Sequence, residues 1–251
     1  MNRTKLFNHA ILTIKSSIRV FENSSRNKIV KNEEKDLKLE TDIDLNEIIC
    51  KKLKDTGIPI ISEENKNEIT NLTTLSWIVD PLDGTMNYFR NFSKYCISIA
   101  LWDNKDPIFG VIYDLNTGAF YYSQNQQSFK DFELIKVSNV KSIKNSIIST
   151  GFPTKMNFSN ESINQIVNSV KEFKKVRAIG SAALSLCHVA EGVFDIYYED
   201  DINIWDVAAG IPIVLNSGGK VYYKLKNESF KMEVLASNAE IFSKSKKIFS
   251  I

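Results

Sequence analysis

The sequence predicts a mixed α/β (α+β) fold forming a single domain over residues 1–251, with an antiparallel-sheet half over residues 1–145 and an α/β half over residues 146–251. Three observations lead there. The runs Cys96 to Leu101, Ile108 to Tyr113 and Ala119 to Tyr122 are rich in β-branched and aromatic residues and are separated by short Asn, Asp and Gly turns, the pattern of a meander. From Ser146 the pattern alternates: Ile147-Ile148-Ser149, a helix from about Asn160 to Phe173, Val176-Arg177-Ala178, then a further helix. No linker, repeat or low-complexity segment divides the chain, and 251 residues at 43% hydrophobic and 25% charged suffice for a large core.

Taken in order, Leu6, Ala10, Ile11, Ile14, Ile18 and Phe21 recur at three- and four-residue intervals and predict a first helix with one buried face. Lys28 to Lys38 is densely charged without periodicity and reads as a mobile hairpin or loop. Glu40-Thr41-Asp42 precedes a second helical pattern, with an N-cap role the simplest one for Thr41 or Asp42. Ile58 to Glu64 and Ser76 to Val79 are apolar runs that end in carboxylates. Asn104 to Pro107 and Asn116 to Gly118 are the hairpin connections of the meander, Gln124 to Gln127 reads as a loop, and a further strand is expected through Glu133 to Val137. In the second half, Gly180-Ser181-Ala182-Ala183 opens a helix with small residues and free amides. Trp205-Asp206 starts another, in which Pro212 predicts a kink. Val221 to Tyr223 and Val234 to Ala236 close the sheet, and a terminal helix follows Ala239.

Composition removes several function classes. No apolar run approaches the roughly 20 residues that cross a bilayer, and Met1 to Lys5 leads into an amphipathic segment without a cleavage site, so a cytoplasmic protein is expected. A net charge of +2 from 32 basic and 30 acidic residues gives no overall bias toward nucleic acid, which leaves only local Lys/Arg clustering as a weak ground for it. Cys50, Cys96 and Cys187 are odd in number and set in apolar surroundings, which predicts buried free thiols. His9 and His188 lie in helical apolar patterns and read as packed or surface residues.

The chemistry is concentrated in Trp77-Ile78-Val79-Asp80-Pro81-Leu82-Asp83-Gly84-Thr85. Asp-Pro-Leu-Asp fits a tight turn that would present Asp80 and Asp83 together at a strand end. Two adjacent carboxylates raise one another's pKa unless a cation separates them. Gly84 and Thr85 offer backbone N–H groups at a helix start, a seat for a phosphate oxygen. Taken alone, this fragment is also the composition of a surface turn. Glu63-Glu64 and Asp206 add two further acidic ends, and the helix dipole is expected to keep Asp206 ionised. Oxygen donors without cysteine or histidine favour Mg²⁺ over zinc.

Glu63-Glu64, Asp80 to Thr85 and Trp205-Asp206, in that order and spread over nearly the whole chain, resemble the inositol monophosphatase family of magnesium-dependent, lithium-sensitive phosphatases. The resemblance implies a layered α-β-α-β-α sandwich and two to three Mg²⁺ ions. Glu63, Asp80 and the Leu82 carbonyl would hold one ion, Asp80, Asp83 and Asp206 a second, with a third near Glu63. It implies that Asp42 polarises the Thr85 hydroxyl to orient the attacking water, with Glu63 also in the catalytic set. Gly84 and Thr85 would hold phosphate, and Asp83, Ser181, Ala182 and Glu199 would line the substrate pocket. Lys31 falls where members carry a loop lysine that closes over the metals. Members are commonly homodimers acting on small phosphorylated substrates.

The expected reaction is hydrolysis of an inositol or sugar monophosphate by in-line attack of an activated water. Adenosine 3',5'-bisphosphate, fructose bisphosphate or histidinol phosphate are alternative substrates, and a catalytically silent regulatory relative is a second class. Met86-Asn87-Tyr88 resembles the inositol monophosphatase branch, and the acids Glu199-Asp200-Asp201 would repel a second phosphate, with Arg177 the residue that would offset them.

Overall fold

The computed structural model describes residues 2–24, 28–33, 36–65, 72, 74–151, 167–168, 171–226 and 230–251. Helix α1 (Arg3–Asn23) starts where the Asn2 side chain accepts the Thr4 N–H, and its periodic apolar face buries Leu6, Phe7, Ala10 and Ile14. The hairpin β1 (Ile29–Glu33) and β2 (Asp36–Leu39) leads into α2 (Glu40–Lys54). Leu39, rather than Thr41 or Asp42, is the N-cap, and Asp42 lies one turn in.

A seven-stranded sheet follows, made of β3 (Ile60–Ser62), β4 (Ser76–Asp83), β5 (Cys96–Asp103), β6 (Asp106–Asp114), β7 (Phe120–Gln124), β8 (Gln127–Lys130) and β9 (Glu133–Leu134), with α3 (Thr85–Phe89) between β4 and β5. Only β3 and β4 are parallel, and the remainder is the expected meander. Gln124 to Gln127 is not a loop but a two-residue turn flanked by paired strand ends, and the last strand stops at Leu134, short of the Val137 expected.

The second sheet runs β11 (Lys175–Arg177), β10 (Ile147–Thr150), β12 (Ile196–Asn203), β14 (Lys231–Asn238), β13 (Gly219–Lys226). Its first three strands are parallel and its last pairings antiparallel. Helices α4 (Ala182–Ala190), α5 (Ile204–Val207) and α6 (Gly210–Asn216) and the terminal α7 (Ala239–Ile248) complete the chain. The helix expected from about Asn160 to Phe173 falls largely outside the described residues.

Strand periodicity sorts the side chains into layers. Trp77, Val79, Ile97, Ile99 and Leu101 face α1 and α2, meeting Ile14, Leu45, Ile49 and Leu53. From the other face of the same sheet Ile78, Ala100, Trp102 and Ile112 meet Leu184, Leu186, Trp205, Ile211 and Ile213 of the middle helices, which also cover Tyr197, Val234 and Ala236 of the second sheet. Ile148, Ile196 and Leu235 on the outer face of that sheet pack on Ile241 of α7. The result is a five-layer α-β-α-β-α sandwich. Each fully buried Leu, Ile or Val contributes roughly 1.5–3 kcal/mol, so the layering rests on many contacts of similar size.

The middle layer carries the elements that aim the site. The helix expected after Trp205 is interrupted at Ala208 and Ala209 and resumes at Gly210, which puts Pro212 in a first turn rather than at an interior kink. Pro212 has no N–H for the Ala208 carbonyl four residues back, and the buried Trp102 Nε1–H donates to that carbonyl at 3.0 Å. Gly110 of β6 lies so close to the interruption that a Cβ would stand 2.0 Å from the Ala209 carbonyl oxygen. Sheet and helix break are thus locked together just beyond Asp206.

Candidate active site

Strand β4 does not end in a tight turn at Asp80. It continues to Asp83 through a bulge between Asp80 and Asp83 where the pairing with β5 shifts register. Pro81 has no N–H to give a ladder, and the Leu82 N–H bonds to Asp80 Oδ1 at 3.0 Å instead. Oxygens of Asp80, Asp83 and Asp206 thereby lie within 4.8 Å of one another. Asp83 Oδ2 accepts the Ser181 hydroxyl at 2.6 Å and the Ala183 N–H at 2.9 Å, both from the start of α4. Asp206 Oδ2 accepts the Asn203 side-chain amide at 3.0 Å and the Asn203 N–H at 3.2 Å.

Burial sets the electrostatics. It pushes the Asp80 carboxyl far above its ordinary range, reinforced by the negative charges of Glu63, Asp83 and Asp206. Asp83 rises to about 7 through burial and Asp206, against the donors Ser181 and Ala183. Asp206 is also raised, contrary to the ionised state expected from the helix dipole, because burial outweighs its hydrogen bonds, those from Asn203 included, and the charge of Lys231. Asp80 Oδ2 is buried and accepts no hydrogen bond from the described residues. An orphaned carboxylate oxygen inside a ring of carboxylates, all hard donors, fits a divalent cation.

Beside this ring, Thr85 at the start of α3 donates its one hydroxyl proton toward Asp42 Oδ1 at 2.9 Å and the Leu82 carbonyl at 3.0 Å. Asp42 is buried, its other oxygen accepts the Leu39 N–H at 2.8 Å, and burial raises it to about 6 against those donors. Gly84, in the left-handed region at φ +88, turns the chain from β4 into α3. Glu63 opens the 3₁₀ turn after β3 and acts on Asp80 through its charge. Glu64 beside it pairs with Lys38 of β2. Lys31 lies exposed on β1, opposite Lys38 in the hairpin.

Ala182 is buried at the start of α4. Glu199 sits on β12 against Gly151, where a Cβ would stand 2.6 Å from both carboxylate oxygens, and burial and the charge of Asp206 push it up to about 8. Asp200 pairs with Lys226. Cys96 Sγ is 3.8 Å from Asp83 Oδ2, and all three cysteines are buried thiols outside any disulfide. His9 bonds the Lys52 carbonyl and His188 bonds Glu191.

The sequence reading passed over Asn203, although its place three residues before Asp206 is a capping-box spacing that could have revealed it. It also passed over the Leu39 amide, whereas the free amides expected at Gly180 to Ala183 include the Ala183 N–H that holds Asp83.

The family model described as the inositol monophosphatase family matches residues 3–246. A Nus factor SuhB of Xylella fastidiosa is 38% identical over 149 residues, 59% of this chain and 54% of that protein. An inositol monophosphatase of Mesembryanthemum crystallinum is 35% identical over 198 residues, 74% of this chain and 73% of that protein. The chain thus spans about half the length of the first relative and about three quarters of the second. The solved structure of an inositol monophosphatase from Anabaena superposes with a TM-score of 0.83 at 25% identity, covering 100% of this chain and 97% of that one. A superposition over the whole chain and a family model spanning nearly all of the sequence agree: the chain belongs to the inositol monophosphatase family.

Proposed function

We propose that the protein hydrolyses a phosphate monoester of an inositol or sugar, with Mg²⁺ held by its acidic ring. The orphaned Asp80 Oδ2 among Asp83, Asp206 and the charge of Glu63 is the observation that carries this reading. Glu63, Asp80 and the Leu82 carbonyl would hold one ion, and Asp80, Asp83 and Asp206 a second, with room for a third near Glu63. Mg²⁺ there supplies Lewis acidity toward phosphate ester oxygens and lowers the pKa of water.

The chain's own groups do the rest. With its proton directed to Asp42, the Thr85 oxygen is an acceptor that orients the attacking water, and Asp42 takes up the proton that passes through Thr85. The Gly84 and Thr85 amides hold the phosphate. Ser181 commits its hydroxyl to Asp83 and so shapes the pocket through that carboxylate, while Glu199 accepts a substrate hydroxyl.

Phosphate release from a panel of monophosphates, with and without Mg²⁺, tests the reading. The acid Asp201, two residues along β12 from the buried Glu199, disfavours a second phosphate, so kcat/KM on inositol or sugar monophosphates should exceed that on adenosine bisphosphate about tenfold. The reverse preference would overturn the substrate assignment alone. A second reading, a metal- or phosphate-binding regulator on the same fold, draws on the Nus factor name of the Xylella relative. Absence of release across the whole panel would select it. Light scattering tests the homodimer that the family suggests.

A further inference from the structure

Asn87 was read above as a mark of substrate branch, yet its side chain faces the protein. It lies two residues beyond Thr85 in α3, half-buried. Its Nδ2 is 2.8 Å from the Lys94 carbonyl oxygen, 2.8 Å from that of Ile179 and 3.3 Å from that of Gly180. Three acceptors around one atom fix which end of the amide is the donor, since an oxygen there would face only other oxygens.

Two of the three carbonyls it gathers, those of Lys94 and Gly180, belong to residues with left-handed backbone. Lys94 is a non-glycine residue at φ +88, Gly180 stands at φ +71, and Gly84 at φ +88. The three meet: a Cβ on Gly84 would lie 2.6 Å from the Lys94 carbonyl oxygen and 3.3 Å from that of Gly180, and a Cβ on Gly180 would lie 3.0 Å from both polar atoms of Asn87. Left-handed backbone in a lysine persists only where its surroundings over-determine it, and such strain gathers at functional sites.

Both arms of this knot end on one carboxylate. Gly84 directly follows Asp83. Gly180 directly precedes Ser181, whose hydroxyl, with the Ala183 N–H, holds Asp83 Oδ2. We propose that Asn87 is a positioning residue that sets Asp83 for metal binding by tying α3 to the backbone entering α4. This rests on the Mg²⁺ site proposed above.

The test is calorimetric Mg²⁺ titration of the full chain as wild type, Asn87→Ala, Ser181→Ala and the double variant, at a temperature where circular dichroism shows each folded. Asn87→Ala should weaken Mg²⁺ binding about tenfold, and the double variant should be weakened by less than the product of the single effects, because both act through Asp83. If Asn87 only glues two segments together, its loss lowers Tm with Mg²⁺ affinity unchanged, and that result overturns the proposal. So do single effects that multiply. Asn87→Ser keeps one donor and takes the place of the alanine variant should that not fold. Because Mg²⁺ binding is read without turnover, a wild type that binds Mg²⁺ but releases no phosphate overturns the phosphatase reading and leaves this test standing. A wild type that binds no Mg²⁺ overturns both.

Discussion

At the scale of single residues, the acidic ring stores repulsion that a cation relieves. Asp80→Asn replaces a buried carboxyl that is a proposed metal ligand, so kcat should fall about a thousandfold, or ~4 kcal/mol of transition-state stabilisation. The metal-free variant should melt no lower than the metal-free wild type, since burial and the charges of Glu63, Asp83 and Asp206 already oppose ionisation of Asp80. Phosphate release and thermal melting check both halves, and a wild-type rate would remove Asp80 from the metal site. Thr85→Val keeps the shape, deletes the hydroxyl and leaves Asp42 with the Leu39 N–H among the donors described. It should lose about a hundredfold in kcat, while Thr85→Ser, which keeps the donor, stays within about tenfold. Equal rates for Val and Ser would end the proton-path role.

At the scale of elements, the interrupted helix after Asp206 depends on a side chain from the facing sheet. Trp102→Phe orphans the Ala208 carbonyl, which should cost about 1–3 kcal/mol in urea unfolding. Pro212→Ala returns an N–H four residues on, so in the Trp102→Phe background it should recover part of that loss. Simple addition of two destabilising effects would show that the indole bond is not what compensates the proline. A similar logic explains β4, where Pro81 and the Leu82 to Asp80 bond make a bulge instead of the turn expected, with the two carboxylates still brought together. The motif was legible and its backbone geometry was not, because Asp-Pro-Leu-Asp suits either and the pairing with β5 decides.

For the whole molecule, metal and pH are linked. Burial lifts Asp83 from 3.8 to about 7 and Glu199 from 4.5 to about 8 without metal, so the folded chain binds more protons than the unfolded one between those values. Stability of the metal-free protein should therefore fall as pH rises from about 4 to about 8. Mg²⁺ takes the place of the protons, and its stabilisation should be greatest at the upper end. Melting curves at pH 6 and pH 8 should show a metal-free Tm some degrees lower at pH 8, with the gap closed by Mg²⁺. A metal-free Tm that climbs over this interval would mean that the carboxylates are relieved by something other than protons.

Much of this protein is written locally. The three- and four-residue apolar spacing of α1, the β-branched and aromatic runs of β5 and β6 between their turns, and acids placed directly after apolar runs at Glu63, Asp80 and Asp206 are decided by neighbours a few residues away, and local sequence could be read for them. Strand β12 was not legible, because Tyr-Tyr-Glu-Asp-Asp looks like surface and becomes a central strand only between β10 and β14. The same holds for the environment of the carboxylates. Ser181 reaches Asp83 from 98 residues along the chain, and Asn87 reaches Ile179 from 92. Which donors surround a buried charge depends on how the layers stack, and stacking is the sum of contacts over the whole chain. The sequence determined which groups are acidic and where strands and helices deliver them, while the tertiary structure alone decided how far apart they stand, how deeply they are buried and what holds each in place.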